Sequence, residues 1–316
     1  MSTSRGTLPK QSPSNRAIVV LGGGRGLAAV LRAIRDADFD LTVIVSIAYA
    51  EEQAARPEQR LTAETVEDLR RSLETLTGEE DPLLRAIRRP LSIERLGRQP
   101  LGNLVLASVA SAFGDYGAAS VWLGEQLGIA GAVLPATTQP LPRQIETAER
   151  STSGRAGTGQ VRRLRFAGDA VTPEPALTAI ARAQWVLVAP GSLYESVLST
   201  AAVPDVAASL ARTRARVVWI ANLEAGTGES AHMTAIEHVR VLRLHGVRVD
   251  AVLHDPSAPL RFDASELEGE GVESLARSLR ADGESSAYDP ERLRAALEEV
   301  IGSGASAIRR GRVTRR

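Results

Sequence analysis

Apolar residues in this chain fall into short unbroken runs separated by stretches of helical periodicity. Ala17-Ile-Val-Val-Leu21 is wholly apolar, the pattern of a parallel strand covered on both faces. It runs into Gly22-Gly-Gly-Arg-Gly26, after which Leu27, Val30, Leu31 and Ile34 recur at helical spacing. Leu41 to Ile47 reads as a second strand, so residues 17–47 form one βαβ unit. Residues 49–61 are polar and without clear period. Thr62 to Leu76 is an amphipathic helix capped by Thr62 or Thr65. A short helix follows over Pro82 to Arg88, then two rich in small residues over Gly102 to Phe113 and Tyr116 to Leu127.

The second half repeats the theme. Gly131 to Pro135, Trp185 to Ala189, Val217 to Ala221 and Val249 to His254 are buried strands. A helix begins at Pro173, where proline is favoured, and continues to Ala183. Residues 151–160 read as a surface turn between extended segments. The alternation predicts an α/β fold, Rossmann-like and doubly wound, with a mainly parallel sheet and helices on both faces. Residues 1–15 read as a disordered tail, 16–302 as a single domain and 303–316 as a basic tail.

Composition removes several chemistries. The chain has 316 residues and no cysteine, which excludes disulfides, thiolate catalysis and cysteine-ligated metals. Its 38 basic and 38 acidic side chains balance, so no global field draws nucleic acid or an anionic membrane. The basic start lacks the apolar core of a secretory signal, and no apolar run reaches bilayer-spanning length. The expected location is the cytoplasm, with partners among neither nucleic acids nor membranes.

Three segments that follow strands carry candidate chemistry. In Gly22, Gly23, Gly24, Arg25 and Gly26 the glycines admit close backbone approach, and a helix start presents N–H groups to an anion. The loop is no P-loop, because no Gly-Lys-Ser/Thr follows it, and Leu27 spoils the dinucleotide fingerprint. In Gly191, Ser192, Tyr194 and Ser196 three hydroxyls stand ready to donate to phosphate or sugar oxygens. Ser192 alone also fits a helix cap. The third segment runs from Asn222 to Ser230 and includes Glu229. His232, His238 and His245 lack the spacing of a zinc-binding helix, and no metal ligand or catalytic residue is assigned. The three loops are expected to meet along the carboxyl edge of one sheet.

Together these segments resemble the YvcK/CofD-like family of gluconeogenesis factors. That family's Gly-Gly-Gly-Thr-Gly-Leu is similar to Gly22-Gly-Gly-Arg-Gly-Leu27, its Gly-Asn-Leu to Gly102-Asn-Leu104, and its Leu-Pro-x-Thr to Leu134-Pro-Ala-Thr137. Its Pro-Gly-Ser-Leu-Tyr-Thr-Ser, the most specific motif, is matched by Pro190-Gly-Ser-Leu-Tyr-Glu-Ser196. Asn222, Gly228, Glu229 and Ser230 keep part of the family's third loop, and Glu237-His-Val239 stands where the family has Asp-His-Val.

The resemblance implies a site for a phosphorylated or nucleotide-linked small molecule, with a UDP-sugar as a possible ligand and no required cofactor. It implies that the glycine loop cradles phosphate, that Asn103 and Asn222 bind base or ribose, and that Thr137, Ser192 and Tyr194 line the site. A homodimer is expected by family analogy alone. One departure is clear. The family's Asp-Asp-Gly-Gly-Ser-Ser aligns with Tyr49-Ala-Glu-Glu-Gln-Ala54, and its Pro-Pro-Gly-Asp with Leu61-Thr-Ala-Glu64, so its paired aspartates are missing. Three functions follow: a UDP-N-acetylglucosamine-type binding regulator of carbon flux, cell-wall precursor supply and cell shape; a CofD-like 2-phospho-L-lactate transferase; or a scaffold with a degenerate pocket.

Overall fold

In the computed structural model the described residues are 16–50, 63–78, 81–93, 97–147, 162–224, 230, 232–284 and 286–311. Seven parallel strands form the main sheet: β1 (Arg16–Gly22), β2 (Phe39–Val45), β6 (Ala132–Pro135), β9 (Trp185–Val188), β10 (Arg216–Ile220), β11 (Ala251–His254) and β12 (Glu273–Ala276). Their order is β12-β11-β10-β9-β1-β2-β6. The chain therefore lays down β1, β2 and β6 in one direction and then returns to add β9 to β12 on the other side of β1. This is a Rossmann-like doubly wound sheet, as the sequence predicts, with its switch point between β1 and β9.

Alternation along β1 explains the two layers. Ile18 and Val20 point into one apolar cluster, with Leu27 and Leu31 of α1 (Gly24–Ile34) and Leu69 of α2 (Ala63–Leu76). Val19 and Leu21 point into the other, with Ile180 of α6 (Glu174–Arg182) and Leu210 of α8 (Pro204–Arg212). Between these helices in sequence come α3 (Pro82–Ile87), α4 (Leu101–Phe113), α5 (Tyr116–Gln126) and α7 (Leu198–Ala201). The chain ends with α9 (Ala235–Leu244), α10 (Ala264–Gly269) and α11 (Pro290–Gly311). Asp81 caps α3 by accepting from the Leu83 and Leu84 N–H groups. Helix α11 runs to Gly311, into the segment read as a basic tail.

Two small sheets were not predicted. β4 (Pro90–Ile93) and β5 (Gly97–Pro100) form a hairpin. β3 (Tyr49–Ala50), β7 (Pro142–Thr147) and β8 (Arg162–Phe166) form a three-stranded sheet beyond the ends of β2 and β6. The surface turn expected over residues 151–160, the segment 51–62 and the tail 1–15 lie outside the described residues. No helix among the described residues is long and apolar enough to cross a membrane.

Candidate functional site

The two loops flanking the switch point pack directly on each other. Gly23, in extended conformation, precedes α1, and no local side chain caps that helix. Gly24 has φ +69°, a left-handed conformation that favours glycine. A Cβ at Gly26 would collide with the Pro190 carbonyl. A Cβ at Gly191 would sit 3.2 Å from Ser196 Cβ and 3.4 Å from the Gly23 carbonyl oxygen. The glycines thus let two βα loops touch backbone to backbone.

The cap on α1 comes from far along the chain. Asp68 of α2 accepts the Gly24 N–H on Oδ1 at 2.8 Å. Burial pushes the Asp68 carboxyl above its ordinary value, while the Gly24 hydrogen bond and the Arg71 charge pull the other way. Arg71 Nη1 lies 3.5 Å from Asp68 Oδ1. On the same helix the buried Arg70 pairs with Glu74 and donates through Nε to Asn103 Oδ1 at 2.9 Å. A carboxylate therefore does reach the glycine loop, from Asp68 of α2.

After β9 the chain does not enter a regular helix. Leu193–Val197 is a single π turn, which then tightens into α7. Ser192 sits at its start and accepts the Glu195 N–H at 3.4 Å, the capping role open to it from sequence. Tyr194 is buried in the apolar layer with Leu193 and Val197. Ser196 lies against both loops, its Oγ 3.8 Å from the position of a Cβ on Gly24.

The third loop is tied to the second. Asn222 Oδ1 accepts the Gly191 N–H at 2.7 Å, and its Nδ2 donates to the Gly191 carbonyl at 3.0 Å. One carboxamide thereby holds both polar groups of one residue in place. The described structure thus gathers Gly22 to Gly26, Gly191, Ser192, Ser196 and Asn222 at one edge of the sheet. Arg25 is exposed on the first turn of α1 there. Thr137 stands apart at the end of β6, two strands from β1, donating to the Gln139 carbonyl at 2.8 Å. Asn103 is fully buried and joined to the site through Arg70 and α2. Glu229 lies outside the described residues.

Two of the histidines, His238 and His245, serve the scaffold. His238 stacks on Trp219 with centroids 5.3 Å apart, and its Nδ1 donates to the Thr234 carbonyl at 2.9 Å. His245 donates through Nδ1 to the Val241 carbonyl and accepts the Leu164 N–H on Nε2, clipping β8 to α9. A cavity of about 50 Å³ lies at the opposite edge of the sheet, lined in part by Ala17, Asp40 and Arg182. Ligand pockets run to about 300 Å³ and more, several times this volume.

The model of the family described as 2-phospho-L-lactate transferase CofD matches residues 18–285, nearly the whole sheet and all three loops. The chain belongs to the CofD family. The gluconeogenesis factor of Bacillus subtilis (strain 168) is similar to this CofD-family chain at 29% identity over 284 residues, covering 82% of this chain and 89% of the relative. A gluconeogenesis factor of Halalkalibacterium halodurans is 30% identical over 249 residues, covering 75% and 77%. The crystal structure of a member of the upf0052 family from Bacillus halodurans shares the fold, with a TM-score of 0.77 at 25% identity. It covers 91% of this chain and all of that one.

Within this CofD-family chain, Asp68 is the site residue that sequence reasoning missed. It sits between Val66 and Leu69 on the apolar stripe of α2. A carboxylate beside such a stripe was the available signal.

Proposed function

We propose that this CofD-family chain binds a nucleotide-linked sugar of the UDP-N-acetylglucosamine type and acts in the cytoplasm as a regulator of carbon flux, cell-wall precursor supply and cell shape. The observation that carries this reading is the convergence at the switch point. Three βα loops, held together by Asn222 and Asp68, meet where open α/β sheets take nucleotides. The glycine loop offers the N–H groups of Arg25 and Gly26 at a helix start, and no side chain of the helix caps them. Its relatives' description as gluconeogenesis factors supports the regulatory part.

The 2-phospho-L-lactate transferase named in the family description is the second reading. Thermal unfolding separates the two, since a ligand that binds only the folded state raises the midpoint. Stabilisation by UDP-N-acetylglucosamine and none by 2-phospho-L-lactate supports the regulator. The reverse supports the transferase, and a shift with neither removes both.

A further inference from the structure

Four buried side-chain polar atoms have no hydrogen-bond partner among the described residues: Arg143 Nε, Thr172 Oγ1, His254 Nδ1 and Arg280 Nε. All four lie at or beyond the carboxyl ends of the main strands. Arg143 is in β7, past the end of β6. Thr172 follows Val171, whose carbonyl accepts the Thr138 N–H in the turn after β6. His254 ends β11, and Arg280 follows β12. Buried polar groups in folded proteins are nearly all paired, so an unpaired buried donor calls for an acceptor.

Arg280 is the one whose surroundings name that acceptor. Its neighbours in sequence are neutralised: Arg277 pairs with Glu299, and Arg292 pairs with both Asp282 carboxylate oxygens at 3.0 Å. Arg280 pairs with no carboxylate among the described residues, and its side chain makes one hydrogen bond, from Nη2 to the Leu223 carbonyl at 2.9 Å. Its backbone is held at two points. The Arg280 N–H donates to Asp255 Oδ2 at 3.0 Å, and its carbonyl accepts from Arg292 Nη1 at 2.7 Å. The guanidinium is thus half-buried, held by the Leu223 carbonyl and without a carboxylate partner among the described residues.

Its position ties it to the candidate site. Leu223 follows Asn222, Asn222 grips the Gly191 peptide, and Gly191 packs on the Gly23 carbonyl. At the other end of that line Asp68 already places a carboxylate on the Gly24 N–H. A phosphate entering beside that carboxylate needs a fixed cation, and a guanidinium is the side chain best shaped for phosphate oxygens.

We infer that Arg280 is an anion-binding residue of this site, its guanidinium contacting the phosphates of a nucleoside diphosphate group. This rests on the nucleotide-linked ligand proposed above and names the residue that would read its charge. The segment after β12 carries none of the motifs noted in the sequence.

The test is calorimetric titration of the full chain and of the R280Q and R280K variants with UDP, uridine and inorganic diphosphate. Glutamine keeps a donor for the Leu223 carbonyl and removes the charge, so a merely structural Arg280 would leave UDP binding close to normal in R280Q. The expected result is that R280Q binds UDP about ten- to a hundredfold more weakly, as loss of a charge-assisted contact requires. Uridine binding stays unchanged, and R280K recovers part of the loss. Equal affinity of R280Q and the parent for UDP, or equal losses for UDP and uridine, would overturn the inference. If the chain binds diphosphate but neither UDP nor uridine, the nucleotide reading fails, and R280Q on diphosphate alone decides Arg280. A chain that binds none of the three overturns both.

Discussion

Asp68 Oδ1 accepts the Gly24 N–H at 2.8 Å, which places a carboxylate on the helix start where an anionic ligand is expected. The two residues are 44 positions apart, and α1 against α2 brings them together. The contact fixes the glycine loop, and it also opposes a phosphate at the same N–H group.

The Asp68–Gly24 pair predicts proton uptake on ligand binding. Burial already raises the Asp68 pKa above 3.8, and an incoming phosphate disfavours the carboxylate further. Calorimetry in two buffers of different ionisation enthalpy measures the protons taken up. The uptake should grow as pH falls toward the raised pKa and vanish in D68N, which should also bind diphosphate more tightly. The sign for folding is the same: a raised carboxyl pKa gives stability that is present below 3.8 and lost as pH rises through the folded value. Asp68 thus opposes the loss of stability on acidification that carboxylates of lowered pKa such as Asp255 produce, and D68N should steepen the acid limb of the stability curve.

Asn222→Ala removes both hydrogen bonds to Gly191 and leaves its peptide groups to find other partners. A loss of about 1–3 kcal/mol in urea unfolding is expected. Asn222→Asp keeps the acceptor for the Gly191 N–H but sets a carboxylate oxygen against the Gly191 carbonyl. It should lose ligand binding as fully as the alanine variant. Retained binding in Asn222→Asp would mean that the Gly191 carbonyl needs no donor.

Two glycine substitutions separate backbone conformation from loop packing. Gly24→Ala meets only Ser196 Oγ at 3.8 Å, so its cost is the left-handed conformation, about 1–2 kcal/mol. Gly26→Ala drives a methyl into the Pro190 carbonyl and must spread the loops, at a cost of about 3 kcal/mol. Unfolding free energies in that order check the packing. The reverse order would place the constraint in Gly24.

His245 sets a second pH dependence, at the β8 clip. Its Nε2 accepts the Leu164 N–H at 3.0 Å and so must be neutral. Burial lowers its pKa below 6.5, and the nearby Arg163 charge lowers it further. A depressed histidine pKa gives stability that is present above 6.5 and lost as pH falls toward the folded value. His238 is shifted the same way by burial. Unfolding free energy should drop as pH falls below 6.5, and His245→Gln should remove part of that slope.

Much of the fold was legible because β1, β9, β10 and β11 are buried on both faces and read as unbroken apolar runs. β12 was not, because Glu273–Ala276 lies at the sheet edge and stays half exposed, leaving no apolar run to notice. β7 and β8 were legible only as the extended segments flanking residues 151–160, because their arginines leave no apolar run, and β4 and β5 were hidden by Pro90 and Pro100 at their ends. In the site, the glycine and Pro190–Gly191 loops were readable from chemistry that is local in sequence. Asp68 and Arg280 were not, because each reaches its partner only through tertiary packing. Tyr194 illustrates the converse: its motif is specific, yet the π turn carries its ring into the core.

Hydrogen–deuterium exchange of the full chain, with and without UDP-N-acetylglucosamine, tests the central claim most directly. A nucleotide-sugar site at the switch point predicts slower exchange in residues 22–26 and 190–197, with the small cavity side around Ala17 and Arg182 unchanged. Unchanged exchange in both loops at saturating ligand, or protection confined to another part of the chain, would contradict it.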